Sequence, residues 1–281
     1  MSQWITEEQT PHLRLSTEVS EVLYSGESEF QKIEVFKSKE YGTMFALDGV
    51  FQTSEREEFI YHEMISHVPL FLHPNPERVL IIGGGDGGVA RECVRHDCVK
   101  EVTMVEIDGK VVELAKEYLP SIAEAMIENN PKLTVKIGDG IGFMAEAEDY
   151  YDVIIVDCSD PIGPGEGLFT NEFYKNTMKA LKADGLFVQQ TESPILHQPL
   201  VEKVFSYISG HFPITRLYTA YIPLYPTGMH CFTIGSKVHD PLTWTATREQ
   251  NFDTKYYNGG IQQAAFALPN FVKEYLYKNK K

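Results

Sequence analysis

The sequence predicts a doubly wound, mostly parallel α/β sheet preceded by a small antiparallel β unit. Three observations carry this. Up to about residue 54 the chain reads as strands joined by tight turns. From residue 78 to 190 it alternates short apolar runs with helical patterns, the signature of a parallel sheet with crossover helices. The first of those runs ends in a glycine cluster, and carboxylates follow most of the others.

Taken in order, Lys32-Ile33-Glu34-Val35 alternates polar and apolar residues, the period of a half-buried strand. Asp48-Gly49 separates Met44-Phe45-Ala46-Leu47 from Val50-Phe51. Both turn residues tolerate positive φ, so the segment predicts a hairpin. Ser54 and Glu57 fit a capping box, which predicts a helix starting at Ser54. Ile60, Tyr61, Met64, Ile65 and Val68 continue it at helical spacing, and Pro74 and Pro76 end it. Strands are then expected at 78–82, 102–107, 133–137, 152–157 and 185–190. Helices are expected after the glycines to about 96, at 109–118 and at 171–182. The run 152–157 is β-branched and apolar, as a strand buried on both faces should be. Runs around 214–220 and 230–234 are candidates for added antiparallel strands. The domains implied are 1–54, a β domain, and 55–281, the α/β domain.

In open parallel sheets ligands bind beyond the carboxyl ends of the strands. Four of the five predicted ends carry a carboxylate: Asp86, Glu106, Asp139 and Asp157. Gly83, Gly85 and Gly88 form Gly-x-Gly-x-x-Gly between a strand and a helix, where glycines allow a tight turn and close approach of a ligand. Glu106 ends the next strand, a position suited to ribose hydroxyls. The pair suits an adenosine ligand, without choosing between NAD and an S-adenosyl compound. Asp139-Gly140 reads equally as an adenine contact or a turn. Asp157-Cys158-Ser159-Asp160 places two carboxylates at one strand end, which is costly unless they meet cations or donors. The Pro/Gly-rich run after them has the composition of a loop able to close over a site.

Composition narrows the classes. Asp plus Glu number 40 against 25 Lys plus Arg, a formal net charge of −15, which argues against nucleic acid as a partner. The first residues lack the pattern of a signal peptide, and no apolar run approaches a membrane span. A cytosolic protein is expected. Cys93, Cys98, Cys158 and Cys231 form no Cys-x-x-Cys pair, so reduced thiols are expected, with Cys93, Cys98 and Cys231 read as small buried hydrophobes. His62 and His67 stand at i,i+5, about 140° apart on a helix, so one metal cannot take both. No metal is expected.

Taken together, Asp48 to Glu55, Tyr61-His62-Glu63-Met64, Gly83 to Gly88, Val105-Glu106-Ile107-Asp108, Gly138-Asp139-Gly140 and Asp157 to Pro164 resemble the spermidine synthase family, over about residues 3 to 275. The resemblance implies a Rossmann-like, methyltransferase-type domain behind a small β domain, and a homodimer or homotetramer. It implies an aminopropyltransferase that uses decarboxylated S-adenosylmethionine as co-substrate, needs no cofactor, and acts on a small diamine. Glu106 then matches the ribose-binding acid, and Asp139 with Gly140 the adenine-binding pair. Gln31 matches a glutamine that contacts the nucleoside, and Pro164 lies at the nucleoside loop. Asp86 matches the carboxylate that holds the aminopropyl ammonium, and Asp157 the proton acceptor. Tyr61, His62, Asp160 and Tyr225 lie at positions near the amine.

Two other enzyme classes use the same fold, S-adenosylmethionine-dependent methyltransferases and NAD-dependent oxidoreductases. Asp86 opposes both, since it would face the carboxylate of intact S-adenosylmethionine or the pyrophosphate of NAD. A non-catalytic polyamine- or nucleoside-binding protein is the third class. The residues do not select the acceptor. Putrescine is the default, with cadaverine, agmatine, a longer diamine and spermidine open.

Overall fold

The computed structural model describes residues 3–277 apart from Asp160 and Ile162; the side chain of Pro164 also lies outside the described residues. The chain opens with β1 (Gln3–Thr10), β2 (Leu13–Glu27), β3 (Lys32–Ser38), β4 (Gly42–Leu47) and β5 (Val50–Ser54). These form one antiparallel sheet in sequential order. Asp48 and Gly49 both adopt positive φ, 50° and 81°, at the expected hairpin. Strand alternation splits this sheet between two cores. Ile33, Val35 and Phe45 pack on one side, and Phe36, Met44 and Phe51 with Leu224 on the other.

Helix α1 (Glu58–Leu72) follows, then β6 (Arg78–Gly83), α2 (Gly88–Val94), β7 (Glu101–Glu106), α3 (Gly109–Tyr118), α4 (Glu124–Ile127), β8 (Leu133–Ile137), α5 (Gly140–Glu146) and β9 (Tyr151–Asp157). A 3-10 helix (Gly163–Phe169), α6 (Asn171–Ala180), β10 (Leu181–Gln190), α7 (Gln198–His211), β11 (Ile214–Tyr221) and β12 (Met229–Ser236) complete the second sheet. Its order is β11-β12-β10-β9-β6-β7-β8. The pairs from β10 to β8 are parallel, and β11 and β12 are antiparallel. The chain leaves β6 toward β7 and β8, then returns to β9 on the other flank. The β6/β9 boundary is therefore the topological switch point.

Two sequence expectations are corrected. Helix α1 begins at Glu58, not Ser54. Ser54 ends β5, and its hydroxyl donates to the Glu57 carboxylate at 3.1 Å, so the pair links two side chains across a turn and leaves the helix uncapped by either. Cys98 is only partly buried, with its Sγ 2.9 Å from Nη1 of Arg248, whereas Cys93 and Cys231 are buried.

Periodicity gave α1 one apolar face, yet the structure buries 14 of its residues, Glu58 and Ile60 to Leu72. Its buried polar groups must then be paired. Both oxygens of Glu63 accept backbone N–H groups, from Lys255 at 2.8 Å, Tyr256 at 2.8 Å and Tyr257 at 2.7 Å. His67 meets Glu92 at 3.1 Å and His96 at 3.0 Å. Glu63→Ala is expected to lower stability by about 3 kcal/mol, because three backbone donors, that of Tyr257 buried and those of Lys255 and Tyr256 partly so, lose a charged acceptor; a urea midpoint measures it. Among the described residues no helix is long and apolar enough to cross a membrane.

Candidate active site

Strand order lines up the carboxyl ends of the parallel strands. Across the sheet the row runs Asp139 after β8, Glu106 ending β7, Asp86 after β6, Asp157 ending β9, and Glu192 after β10. Neighbouring strands lie about 4.8 Å apart, so this row spans roughly 20 Å. A cavity of about 310 Å³ covers it, with a second wall from β4, β5 and the start of α1. Gln31, Tyr61, His62, Gly83, Gly85, Asp86, Glu106, Asp139, Gly140, Asp157 and Tyr225 all line this cavity. Asp160 and the Pro164 side chain lie outside the described residues.

The glycines are constrained by the protein itself as well as by any ligand. Gly83 sits at φ +82°, and a Cβ there would lie 2.0 Å from the Asp157 carbonyl oxygen. That same carbonyl accepts the N–H of Gly84 at 2.8 Å, locking the glycine loop to the end of β9. At Gly88 a Cβ would fall 2.3 Å from the imidazole of His62. Gly88→Ala is therefore expected to displace His62 and cost about 1–3 kcal/mol through overpacking; a crystal structure of the variant with a urea midpoint checks both.

His62 is the hinge of a buried charge chain. Its Nδ1 lies 2.5 Å from the Glu58 carboxylate and its Nε2 3.2 Å from that of Asp86. Glu58 in turn takes both terminal nitrogens of Arg91, at 3.0 and 2.8 Å. Burial opposes charge on His62, but the Asp86 and Glu58 carboxylates outweigh it and hold the imidazole well above its ordinary pKa. Burial also opposes charge on Asp86, and His62 with the N–H of Gly88 at 2.9 Å keeps it below the ordinary carboxylate value.

Asp157 behaves oppositely. Burial, then the neighbouring Asp86, pushes it up to about 6 against the opposing pull of His62 and Tyr61. Tyr61 Oη donates to it at 2.7 Å. Glu106 is buried and pushed up to about 7 by desolvation. Asp139 caps α5 through the N–H of Ile141 at 2.9 Å, so its turn-like and site-lining readings hold together. Gln31 donates its amide to Asp108 at 3.0 Å, tying the first sheet to the start of α3. Tyr225 donates to the Gln52 carbonyl at 2.8 Å, with its ring 5.8 Å from that of Tyr61.

A family model for the spermine/spermidine synthase domain matches residues 58–243, and one for the spermidine synthase tetramerisation domain matches residues 3–55. The chain belongs to the spermidine synthase family. A polyamine aminopropyltransferase of Bacillus cereus is 52% identical over 97% of this chain and 98% of its own length. That of Bacillus subtilis is 49% identical over 96% and 98%. The crystal structure of a spermidine synthase in complex with the transition-state analogue AdoDATO superposes with a TM-score of 0.93 at 41% identity, covering 98% of this chain and 94% of the other. The Thermotoga maritima spermidine synthase gives 0.91 at 40%, with the same coverage.

In this member of the spermidine synthase family, one set of cavity groups lies outside the sequence motifs. Glu7 from β1, Glu57 before α1 and Glu192 after β10 line the cavity beside Gln52 and His230. Burial pushes Glu7 and Glu57 up to about 7. Glu57 was marked only as the capping partner of Ser54, and Glu7 and Glu192 by no local pattern, because β1, the β5–α1 turn and the end of β10 meet only in the fold. Glu58 was also missed, although its i,i+4 spacing from His62 was a readable signal.

Two clusters among the described residues bring three ligand-type atoms within 4.8 Å: His62, Asp86 and Asp157, and His73, Asp184 and His239. His62 faces a carboxylate with each nitrogen, so both carry protons and neither has a lone pair for a metal. His73 accepts the N–H of Asn75 on Nδ1 at 3.2 Å. Its proton is then on Nε2, the atom 3.6 Å from Asp184.

Proposed function

We propose that this cavity transfers the aminopropyl group of decarboxylated S-adenosylmethionine to a diamine, with putrescine as the default acceptor, giving spermidine and methylthioadenosine. The observation that carries the reading is the order of the acidic row. Glu106 and Asp139, flanked by Gln31, Gly83, Gly85 and Gly140, suit the ribose and adenine on the β7/β8 side. Asp86 and Asp157 stand at the β6/β9 switch point, where carbon and nitrogen would meet. Tyr61, Tyr225, Glu7, Glu57 and Glu192 lie toward β10 and β12, suited to an extended cationic amine. The nucleoside roles of Pro164 and the amine role of Asp160 belong to the same reading.

The acceptor nitrogen attacks the carbon beside the sulfonium. A C–N bond forms, the C–S bond breaks, and its electron pair leaves neutral methylthioadenosine. The positive sulfur is already a good leaving group, so no metal or redox cofactor is required for departure. The nucleophile is the obstacle, since an alkyl ammonium with pKa about 10 is protonated at neutral pH. Asp157 takes that proton, directly or through water. An ammonium has no lone pair, so this transfer precedes attack, and desolvation of the bound amine narrows the mismatch between about 6 and about 10. In-line alignment of donor and acceptor supplies much of the remaining acceleration.

The test uses purified protein, decarboxylated S-adenosylmethionine and a panel of putrescine, cadaverine, agmatine, longer diamines and spermidine, with methylthioadenosine release and the amine product measured. Putrescine-dependent release of methylthioadenosine with spermidine is the expected result. No release with any amine would remove the reading. The match of residues 3–55 to a tetramerisation domain, with Trp4 and Val22 exposed on β1 and β2, supports assembly with further copies as a homodimer or homotetramer. The four free thiols fit a cytosolic setting.

A further inference from the structure

We propose that Glu58 is a positioning residue for this reaction: clamped by Arg91, it holds the His62 imidazole as a donor from both nitrogens, and so presets the Asp86 carboxylate that receives the ammonium of the aminopropyl donor. The inference rests on the aminopropyl-transfer reading and adds the machinery behind Asp86. Both partners of His62 are carboxylates that only accept, which fixes a proton on each ring nitrogen. Asp86 is held at both ends, Oδ1 by the N–H of Gly88 at 2.9 Å and Oδ2 by His62 at 3.2 Å. Its plane is therefore set before any ligand arrives, and each oxygen retains a lone pair for an incoming ammonium.

The remaining charges around His62 explain why Glu58 is needed. From the turn before α1 comes Glu57, from α1 Glu58, from the glycine loop Asp86, from α2 Arg91, and from the end of β9 Asp157. Arg91 and Glu58 are both largely buried, and the arginine also holds Glu92 at 2.8 Å. The sequence of charges is plus, minus, plus, minus from Arg91 through Glu58 and His62 to Asp86. Removing the Glu58 charge leaves a buried imidazolium with one partner, and the ring then loses a proton or its orientation. Burial works against that charge throughout, and Asp86 and Glu58 together overcome it. Gly88 leaves the space the ring occupies, so the site is shaped for histidine in this one pose.

The test compares wild type, Glu58→Gln and Glu58→Asp. In ligand-free, ¹⁵N-histidine-labelled protein, the His62 signal, assigned by its loss in His62→Gln, is expected to show both ring nitrogens protonated at pH 7.5 in wild type. In Glu58→Gln it is expected to shift toward the neutral form. The KM for decarboxylated S-adenosylmethionine is expected to rise at least tenfold in Glu58→Gln, with the KM for the amine changed less than threefold. Glu58→Asp is expected to recover part of both effects. An unchanged His62 signal in Glu58→Gln overturns the proposal, as does a loss shared equally between the two KM values and not relieved in Glu58→Asp. Absence of turnover in wild type would strike the aminopropyl-transfer reading instead, while the histidine signal of the ligand-free protein would still report on the charge chain.

Discussion

Asp157→Asn is expected to lower kcat by about 10²–10⁴, the usual contribution of a positioned general base. KM values for both substrates should stay within a few-fold, because the amide keeps the shape and the hydrogen-bond acceptor for Tyr61. The pH profile gives a second, independent reading. Asp157 acts only when ionised, and burial with Asp86 pushes it up to about 6. Activity should therefore fall tenfold per pH unit below about 6 and level off above it, and this acid limb should vanish in Asp157→Asn. Tyr61 Oη donates to Asp157 at 2.7 Å and favours its ionised form. Tyr61→Phe removes that stabilisation, so the limb should move to higher pH. Unchanged turnover in Asp157→Asn would take this residue out of the base role.

Asp86→Ala is expected to collapse the discrimination between decarboxylated and intact S-adenosylmethionine. The two donors differ by one carboxylate at the end of the chain that Asp86 faces. In the native protein the decarboxylated donor offers Asp86 an ammonium, and a charge-assisted hydrogen bond of this kind contributes about 1.5–3 kcal/mol. The intact donor brings a like charge to the same place. Removing Asp86 weakens the first by roughly 10- to 150-fold on that scale and relieves the second. It also frees the His62 proton to attract the extra carboxylate, which narrows the gap further. Calorimetry with both donors on native and variant protein measures the ratio, and equal native affinities would defeat the argument. A linked sign follows: Asp86 raises the Asp157 pKa, so the acid limb of residual activity should move to lower pH in Asp86→Ala.

Much of this architecture was legible because local chemistry spoke for it. Asp48-Gly49 marked its hairpin through residues that accept positive φ, and both do so. The β-branched run ending at Asp157 announced a strand buried on both faces, and residues 151–156 are all buried. The glycine run after β6 was readable for the same reason, since a strand that stops in glycines must turn sharply. The start of α1 was misplaced because Ser54 and Glu57 satisfy a capping pattern that the fold uses for a turn. Helices α4, α5, α7, α8 (Gly259–Ala264) and α9 (Asn270–Tyr277) were not anticipated. The first two are four and seven residues long, too short for a helical period to rise above the sequence around it.

Local sequence specifies the strand ends and the carboxylates on them. A strand and its terminal residue are local, and Asp86, Glu106, Asp139 and Asp157 each follow directly from the run before them. Their order across the sheet and their state of charge arise in the folded chain alone. Order depends on the chain reversing direction between β8 and β9, which no residue encodes alone. Charge depends on distance and burial. Asp86 stays ionised because His62, from a helix formed before the sheet begins, lies 3.2 Å away. Asp157 rises toward neutrality because it is buried next to Asp86 and its hydrogen bond to Tyr61 compensates only in part. Glu7, Glu57 and Glu192 carried no local mark of a site, since solvation and neighbours give a carboxylate its function, and both are properties of the folded chain.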